Sequence, residues 1–266
     1  MIIYLILYMK VADVIKVIED FAPLSVQEKW DNSGLCIGSA DNEVSSVLLG
    51  LDCSPELVDE AVTCGADMIV THHPLIFSGL KKISPDDPVG LAVMKAVRAG
   101  ISVYAAHTSA DKVTGGVSWA MARKLGLENI EVLDSEGDGV GLGVTGYLPQ
   151  PLDPETMISV VKDRFTLKGL RCSRPLGRKI EKVALCGGAG GSLVDKAISS
   201  GAQLYISGDI SYHHFFTPEG FMLMDIGHYE SELDIVQILF SLIRKNFPTF
   251  AVRITENLYS NPVYYF

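Results

Sequence analysis

Laid on itself with an offset of 136, the chain matches residues 47–66 against 183–202 without a gap. Val47/Val183, Leu49/Leu185, Leu57/Leu193, Val58/Val194, Asp59/Asp195, Ala61/Ala197, Gly65/Gly201 and Ala66/Ala202 are identical, and most other positions keep their apolar or polar character. Each stretch reads as strand, helix, strand. Convergent β-α-β patterning could supply some of these identities, but the register points to internal duplication. The surrounding sequence alternates in the same way. Apolar β-branched runs at Ser46 to Asp52, Asp67 to Thr71 and Ile101 to Ala106 are followed by helical patterns from Pro55, around Val89 to Ala99, and from Gly116. Such alternation predicts an α/β fold with a mostly parallel sheet in each of two related lobes. The polar segment Asp134 to Asp138 suggests the division: residues 1–134 as the first lobe and 135–266 as the second, with the C-terminal helix and strand available to pack on the first. A further helix is expected from Asp153-Pro154, as cap and first-turn proline.

Composition narrows the function. The net charge is −10, which argues against holding nucleic acid by phosphate neutralisation. The longest apolar run, MIIYLILYM, is far short of the roughly 20 residues needed to span a bilayer. It lacks the basic start and small-residue cleavage site of a secretory signal, so residues 1–8 read as an upstream start or an added edge strand, with Met9 opening an amphipathic helix. Cys36, Cys53, Cys64, Cys172 and Cys186 are odd in number and scattered without a CxxC pair, which fits a reducing cytoplasm.

The histidines carry the chemistry. His72, His73, His107, His213, His214 and His228 each lie just after an apolar run. In open α/β sheets, ligands bind in the crevice outside the carboxyl ends of the strands. AGISVYAAHTSAD (99–111) and EGFMLMDIGHYESE (219–232), compared at an offset of 121, superpose His107 on His228 and Asp111 on Glu232, so each ends in His-x-x-x-acid. A single such pair is usually solvated. Two of them, together with His72-His73, supply six nitrogen or oxygen donors, a set suited to two divalent ions roughly 3.5 to 4 Å apart. With no thiolate among them, zinc, iron or manganese is expected. Asp52 either orients a ligand histidine or caps the helix from Pro55, the cap being the preferred reading. Of the consecutive His213 and His214, at most one faces the site, and His213 is the choice.

Other features are less specific. GGAGGS (187–192) fits close backbone packing against the metal crevice better than phosphate binding. Trp30 and Trp119 read as core anchors. The basic group Lys162, Arg164, Lys168, Arg171, Arg174, Arg178, Lys179 and Lys182 reads as a solvated face, with attraction of an anionic substrate as its functional alternative.

The segments KWDNSGLCIG (29–38), THHPLIF (71–77), HTSAD (107–111), GGAGGS, SGDISYHH (207–214) and GHYESE (227–232) together resemble the NIF-three-like dinuclear metal-binding family, many of whose members are called GTP cyclohydrolase I type 2 homologues. The resemblance runs from about residue 9 to 232. It implies metal ligands at His72, His73, Asp111, His228 and Glu232, with Glu232 bridging two ions and His107 close by. It also implies a two-lobed subunit with the dinuclear metal site in the cleft between the lobes, assembled as a toroidal homohexamer, a trimer of dimers. Some members carry an inserted domain between the lobes; only about 45 residues separate Asp134 from Lys179, so this chain reads as the short form.

The expected activity is metal-dependent hydrolysis of a small anionic, nucleotide-like substrate, with His107 or His213 as general acid or base. By resemblance, GTP is a candidate, opened at its imidazole ring with loss of formate. A non-catalytic metal-binding scaffold is the alternative, and a nucleic-acid-binding ring a weaker third.

Overall fold

The computed structural model describes residues 9–257 and 261–264; the reading of residues 1–8 as an edge strand or upstream start lies outside them. The chain divides into two compact units, residues 1–110 with 235–260 and residues 111–234 with 261–266.

In the first unit a five-stranded sheet runs in the order Ala251–Ile254, Ser46–Gly50, Met68–Thr71, Ser102–Ala105, Gly34–Ile37. The first four strands are parallel and the last is antiparallel. The two central parallel strands, Met68–Thr71 and Ser102–Ala105, are buried at every position, as expected where helices cover both faces of a parallel sheet. Two of those helices are written into the sequence in the same way. Pro55–Cys64 starts on Ser54, whose side chain accepts from Leu57 N, and ends on Gly65 at φ 70°. Pro88–Ala99 starts on Asp87, which accepts from Gly90 N, and ends on Gly100 at φ 69°. A capping side chain, a proline in the first turn and a left-handed glycine at the end fix both boundaries. Leu57, Val58, Ala61, Ala92, Val93 and Ala96 then pack with Leu48, Ile69 and Val103 of the sheet.

The second unit has a six-stranded sheet in the order Glu128–Gly137, Val140–Leu152, Ile180–Ala189, Leu204–Gly208, Met222–Asp225, Arg171–Cys172. Its middle three strands are parallel, flanked by antiparallel partners on both sides. Helices Val117–Lys124 and Pro154–Arg164 contribute Met121, Ala122, Met157 and Val161 to a cluster with Val144, Val183, Leu185, Leu204 and Met224.

Both sheets therefore contain a parallel triplet with an antiparallel edge strand beyond it. The ladders give the register of the likeness. Val47 pairs with Met68 and Val183 with Leu204, so the offset of 136 holds across two strands. The third strand departs from expectation: Met68 pairs with Ser102 and Leu204 with Met222, an offset of 120 rather than 121. His107 accordingly precedes the short helix Thr108–Lys112, whereas His228 opens the helix His228–Glu232. The two His-x-x-x-acid pairs are one residue out of strict equivalence.

The division expected at residue 134 is also displaced. Asp134 to Asp138 lies in a hairpin: Glu128–Gly137 pairs with Val140–Leu152, and Gly137 faces Val140 across the two-residue turn Asp138-Gly139. Positive φ at both turn residues, 49° and 75°, matches the twist of a tight hairpin. Residues 111–134 thus belong with the second unit. The chain returns to the first unit at Ile235, where Ala251–Ile254 adds a parallel edge strand to Ser46–Gly50. No described helix is long and apolar enough to cross a membrane, and all five cysteines are free.

Candidate metal centre

In the first unit three parallel strands end beside one another, and each hands the chain to a polar residue. Backbone N–H groups of His72 and His73 both donate to Leu51 O, at 3.1 and 3.0 Å, which pins the turn after Met68–Thr71. His72 is fully buried, and its Nδ1 lies 2.8 Å from Ala106 O. His73 Nδ1 lies 2.7 Å from Asp52 Oδ1, and His107 Nδ1 lies 2.7 Å from Asp31 Oδ1. Carbonyl and carboxylate oxygens only accept, so each of these pairs places a proton on Nδ1. In the neutral ring the lone pair is then on Nε2. That is the tautomer of a metal-ligating histidine held by a neighbouring acceptor. His72, His73 and His107 offer ligand atoms within 4.8 Å of one another.

Two acceptors depart from expectation. Asp52 is the partner of His73, because Ser54, two residues on, takes the capping role. Asp31 carried no assigned role, although it lies in the KWDNSGLCIG segment. Its side chain is fully buried. Burial pushes its carboxyl up, but hydrogen bonds from His107, Ser33 and Thr108 outweigh that and hold it well below the ordinary carboxylate range. Nothing in local spacing pairs residue 31 with residue 107; only the antiparallel edge strand Gly34–Ile37, laid against Ser102–Ala105, brings them together.

The second unit repeats the device. Asp209 follows Leu204–Gly208 in a left-handed conformation, φ 51°, that a non-glycine residue adopts at a cost. Its Oδ2 lies 2.8 Å from His228 Nδ1. His228 Nε2 in turn lies 3.1 Å from Glu232 Oε2, one helical turn on. The helix is anchored from outside, since Ser231 Oγ donates to His228 O and accepts from Gly188 N. Here the glycine run acquires its reason. A Cβ on Gly188, already at φ 63°, would collide with Glu232 Oε1 and come within 3.4 Å of His228 Cε1. GGAGGS is therefore close packing against the acid. Cys186, next to this run, is buried near Asp111 and Glu232; burial first and those carboxylates second push its thiol up to about 12, and it joins none of the three-donor groups found among the described residues.

His213 is not brought into the site. It is exposed in the short turn Tyr212–Phe215, edge-on to the Tyr212 ring, and joins none of the three-donor groups found among the described residues. His214 bonds through Nδ1 to Ser211 Oγ. Within the basic group, Arg171 pairs with Asp225, Arg178 donates to Gly220 O and Lys182 to Ser200 O. Lys162, Arg164, Lys168, Arg174 and Lys179 are exposed, as a solvated face requires. Trp119 packs against the second unit's core as expected, but Trp30 is 59% exposed and is no core anchor.

A family model described as Duf34/NIF3 (NGG1p interacting factor 3) matches residues 9–262. The chain belongs to the Duf34/NIF3 family. It is 33% identical over 232 residues to a Clostridium perfringens protein named a GTP cyclohydrolase 1 type 2 homolog, covering 86% of this chain and 88% of that one. A Lactococcus lactis protein of the same name is 37% identical over 226 residues, covering 83% and 86%. Among solved structures, a Bacillus cereus protein related to NIF3 superposes with a TM-score of 0.90 at 24% identity, over 97% of this chain and 100% of that one. Reduced HcgD from Methanocaldococcus jannaschii superposes with a TM-score of 0.79 at 26% identity, over 94% and 99%.

Two predictions follow for this Duf34/NIF3 chain. Gly188→Ala should destabilise the second unit by about 1–3 kcal/mol through overpacking and backbone strain, read as a lowered urea midpoint. Asp52→Asn or Asp209→Asn, each loosening one histidine, should weaken metal binding about 10- to 100-fold, measured by competition with a chromophoric chelator.

Proposed function

We propose that this protein holds two divalent ions per subunit, on His72, His73, Asp111, His228 and Glu232, and hydrolyses a small anionic, nucleotide-like substrate. The observation that carries this reading is the uniform setting of the histidines: His72, His73, His107 and His228 all commit Nδ1 to an acceptor-only oxygen. Solvated histidines have no reason to share that setting. The nitrogen and oxygen donor set fits zinc, iron or manganese.

Divalent ions held by these residues would supply Lewis acidity at the attacked group and lower the pKa of water there. The chain's own groups do the rest. Asp52 and Asp209 keep His73 and His228 aimed. His107, with the buried Asp31 behind it, is assigned to hold a proton at Nε2 and pass it to the departing group, the carboxylate stabilising its cationic form. His213, exposed and outside the donor groups, has no part.

The curated relatives' name makes GTP, opened with release of formate, the first substrate to try. Assembly as a homohexamer belongs to the same proposal and is read by sedimentation.

Elemental analysis of the purified chain should give two equivalents of metal, falling by at least one in Asp111→Ala or Glu232→Ala with the circular-dichroism spectrum unchanged. Asp31→Asn should keep both equivalents while lowering kcat for nucleotide hydrolysis about 100-fold or more. Retention of both ions in the Asp111 and Glu232 variants sinks the ligand assignment. Two ions with no turnover of any nucleotide would leave a non-catalytic metal-binding scaffold.

A further inference from the structure

Two large aromatic side chains stand in solvent beside the histidine cluster of the first unit. Trp30 is 59% and Phe77 55% exposed. Their ring centroids lie 5.8 Å apart, and each lies 6.1 Å from the His107 ring. His107 in turn lies 5.3 Å from His72 and 5.6 Å from His73. The two aromatics therefore adjoin the cluster, each edge-on to the His107 ring.

Exposed aromatics of this size are costly to leave in water unless something covers them. These two are also built in place. Trp30 sits in the turn closed by Asp31 N donating to Glu28 O, and the chain on either side is tied by Glu28 N donating to Thr108 Oγ1 and Ser33 N donating to Gln27 Oε1. Its neighbour Asp31 is the carboxylate that aims His107. Its next neighbour, Asn32, donates through Nδ2 to Ile76 O, the residue before Phe77. One short segment thus sets the His107 ring, holds Trp30 and grips the loop bearing Phe77. Trp30 and Phe77 meet tilted at 51°, and even in that contact 59% and 55% of the two side chains stay exposed.

We infer that Trp30, with Phe77 at its edge, is the platform on which a planar heteroaromatic ring of the substrate stacks, while the anionic part of the same molecule reaches the metal-binding residues. This rests on the reading of the histidine cluster as the reaction centre, and it assigns the substrate class: phosphorylated compounds carrying a nucleobase-sized ring, in preference to sugar phosphates without one. Stacking reads the π-face and not the hydrogen-bonding edge, so the platform selects for a ring without choosing among bases.

The test uses the full chain loaded with zinc. Trp119→Phe leaves Trp30 as the sole tryptophan. Its emission should be quenched on titration with GMP or AMP and unchanged with ribose 5-phosphate. In the wild-type background, Trp30→Ala should weaken GMP binding about 5- to 100-fold while ribose 5-phosphate binding stays as it was, and Trp30→Phe should recover most of the loss. Equal GMP affinity in Trp30→Ala, equal loss for both ligands, or a changed sedimentation coefficient in that variant, which would mark the patch as a contact between copies, each overturns the platform. Because binding is read apart from turnover, quenching without hydrolysis keeps the platform and removes the hydrolase. Hydrolysis with an unchanged KM in Trp30→Ala does the reverse.

Discussion

An imidazole has two nitrogens, and what one of them does determines what the other can do. In this protein the hydrogen bond at Nδ1 is the constraint on which the candidate site depends. Ala106 O, Asp52, Asp31 and Asp209 each take the Nδ1 proton of one histidine. The tautomer and the ring plane are both settled before any ion arrives, so binding does not have to order these side chains. The acceptors lie at or near the carboxyl ends of strands, or in the loop entering an edge strand. The sheets thereby deliver donor and acceptor together.

That delivery strains the backbone in places the sheets can hold. Asp209 keeps a positive φ directly after a fully buried strand, and Gly227, at φ 92°, turns the chain into the helix that carries His228 and Glu232. Gly188 gives up a side chain so that Glu232 can close on the strand end behind it. Buried parallel strands tolerate these irregular exits because their ladders and cores are complete before the chain leaves the sheet.

The sequence carried the elements well where the chemistry is local. The helical patterns read from Pro55 and around Val89 to Ala99 run as Pro55–Cys64 and Pro88–Ala99 in the structure. Asp153-Pro154 also opens a helix, although the Asp153 side chain makes no capping bond. The histidines after strands, and the glycine run as a packing device, were legible for the same reason. What was misread required knowing which of two nearby groups wins, or which distant segments meet. Asp52 was preferred as the cap, and the Ser54 hydroxyl takes the role instead. Asp31 and His107 are 76 residues apart. The 134–138 segment is polar because it ends an exposed hairpin, a composition that a linker shares. Trp30 has the composition of a core residue and the position of a surface one, and only burial separates them.

The carboxylates behind the histidines are not equivalent, and the difference bears on what each histidine does. Asp52 and Asp209 are 53% and 60% exposed, so water screens their hold on His73 and His228. They can fix a ring's direction, which is what a ligand needs, but they add little charge stabilisation. Asp31 is sealed from solvent, with Ser33, Thr108 and the Thr108 backbone donating to it besides His107. A charge held in that way acts through a lower dielectric and is felt more strongly by the ring it faces. His107 thus faces a buried carboxylate, whereas the fully buried His72 faces a neutral backbone carbonyl. Asp52 and Asp209 stand in solvent behind their histidines, so the burial of Asp31 is what distinguishes His107 from the histidines around it.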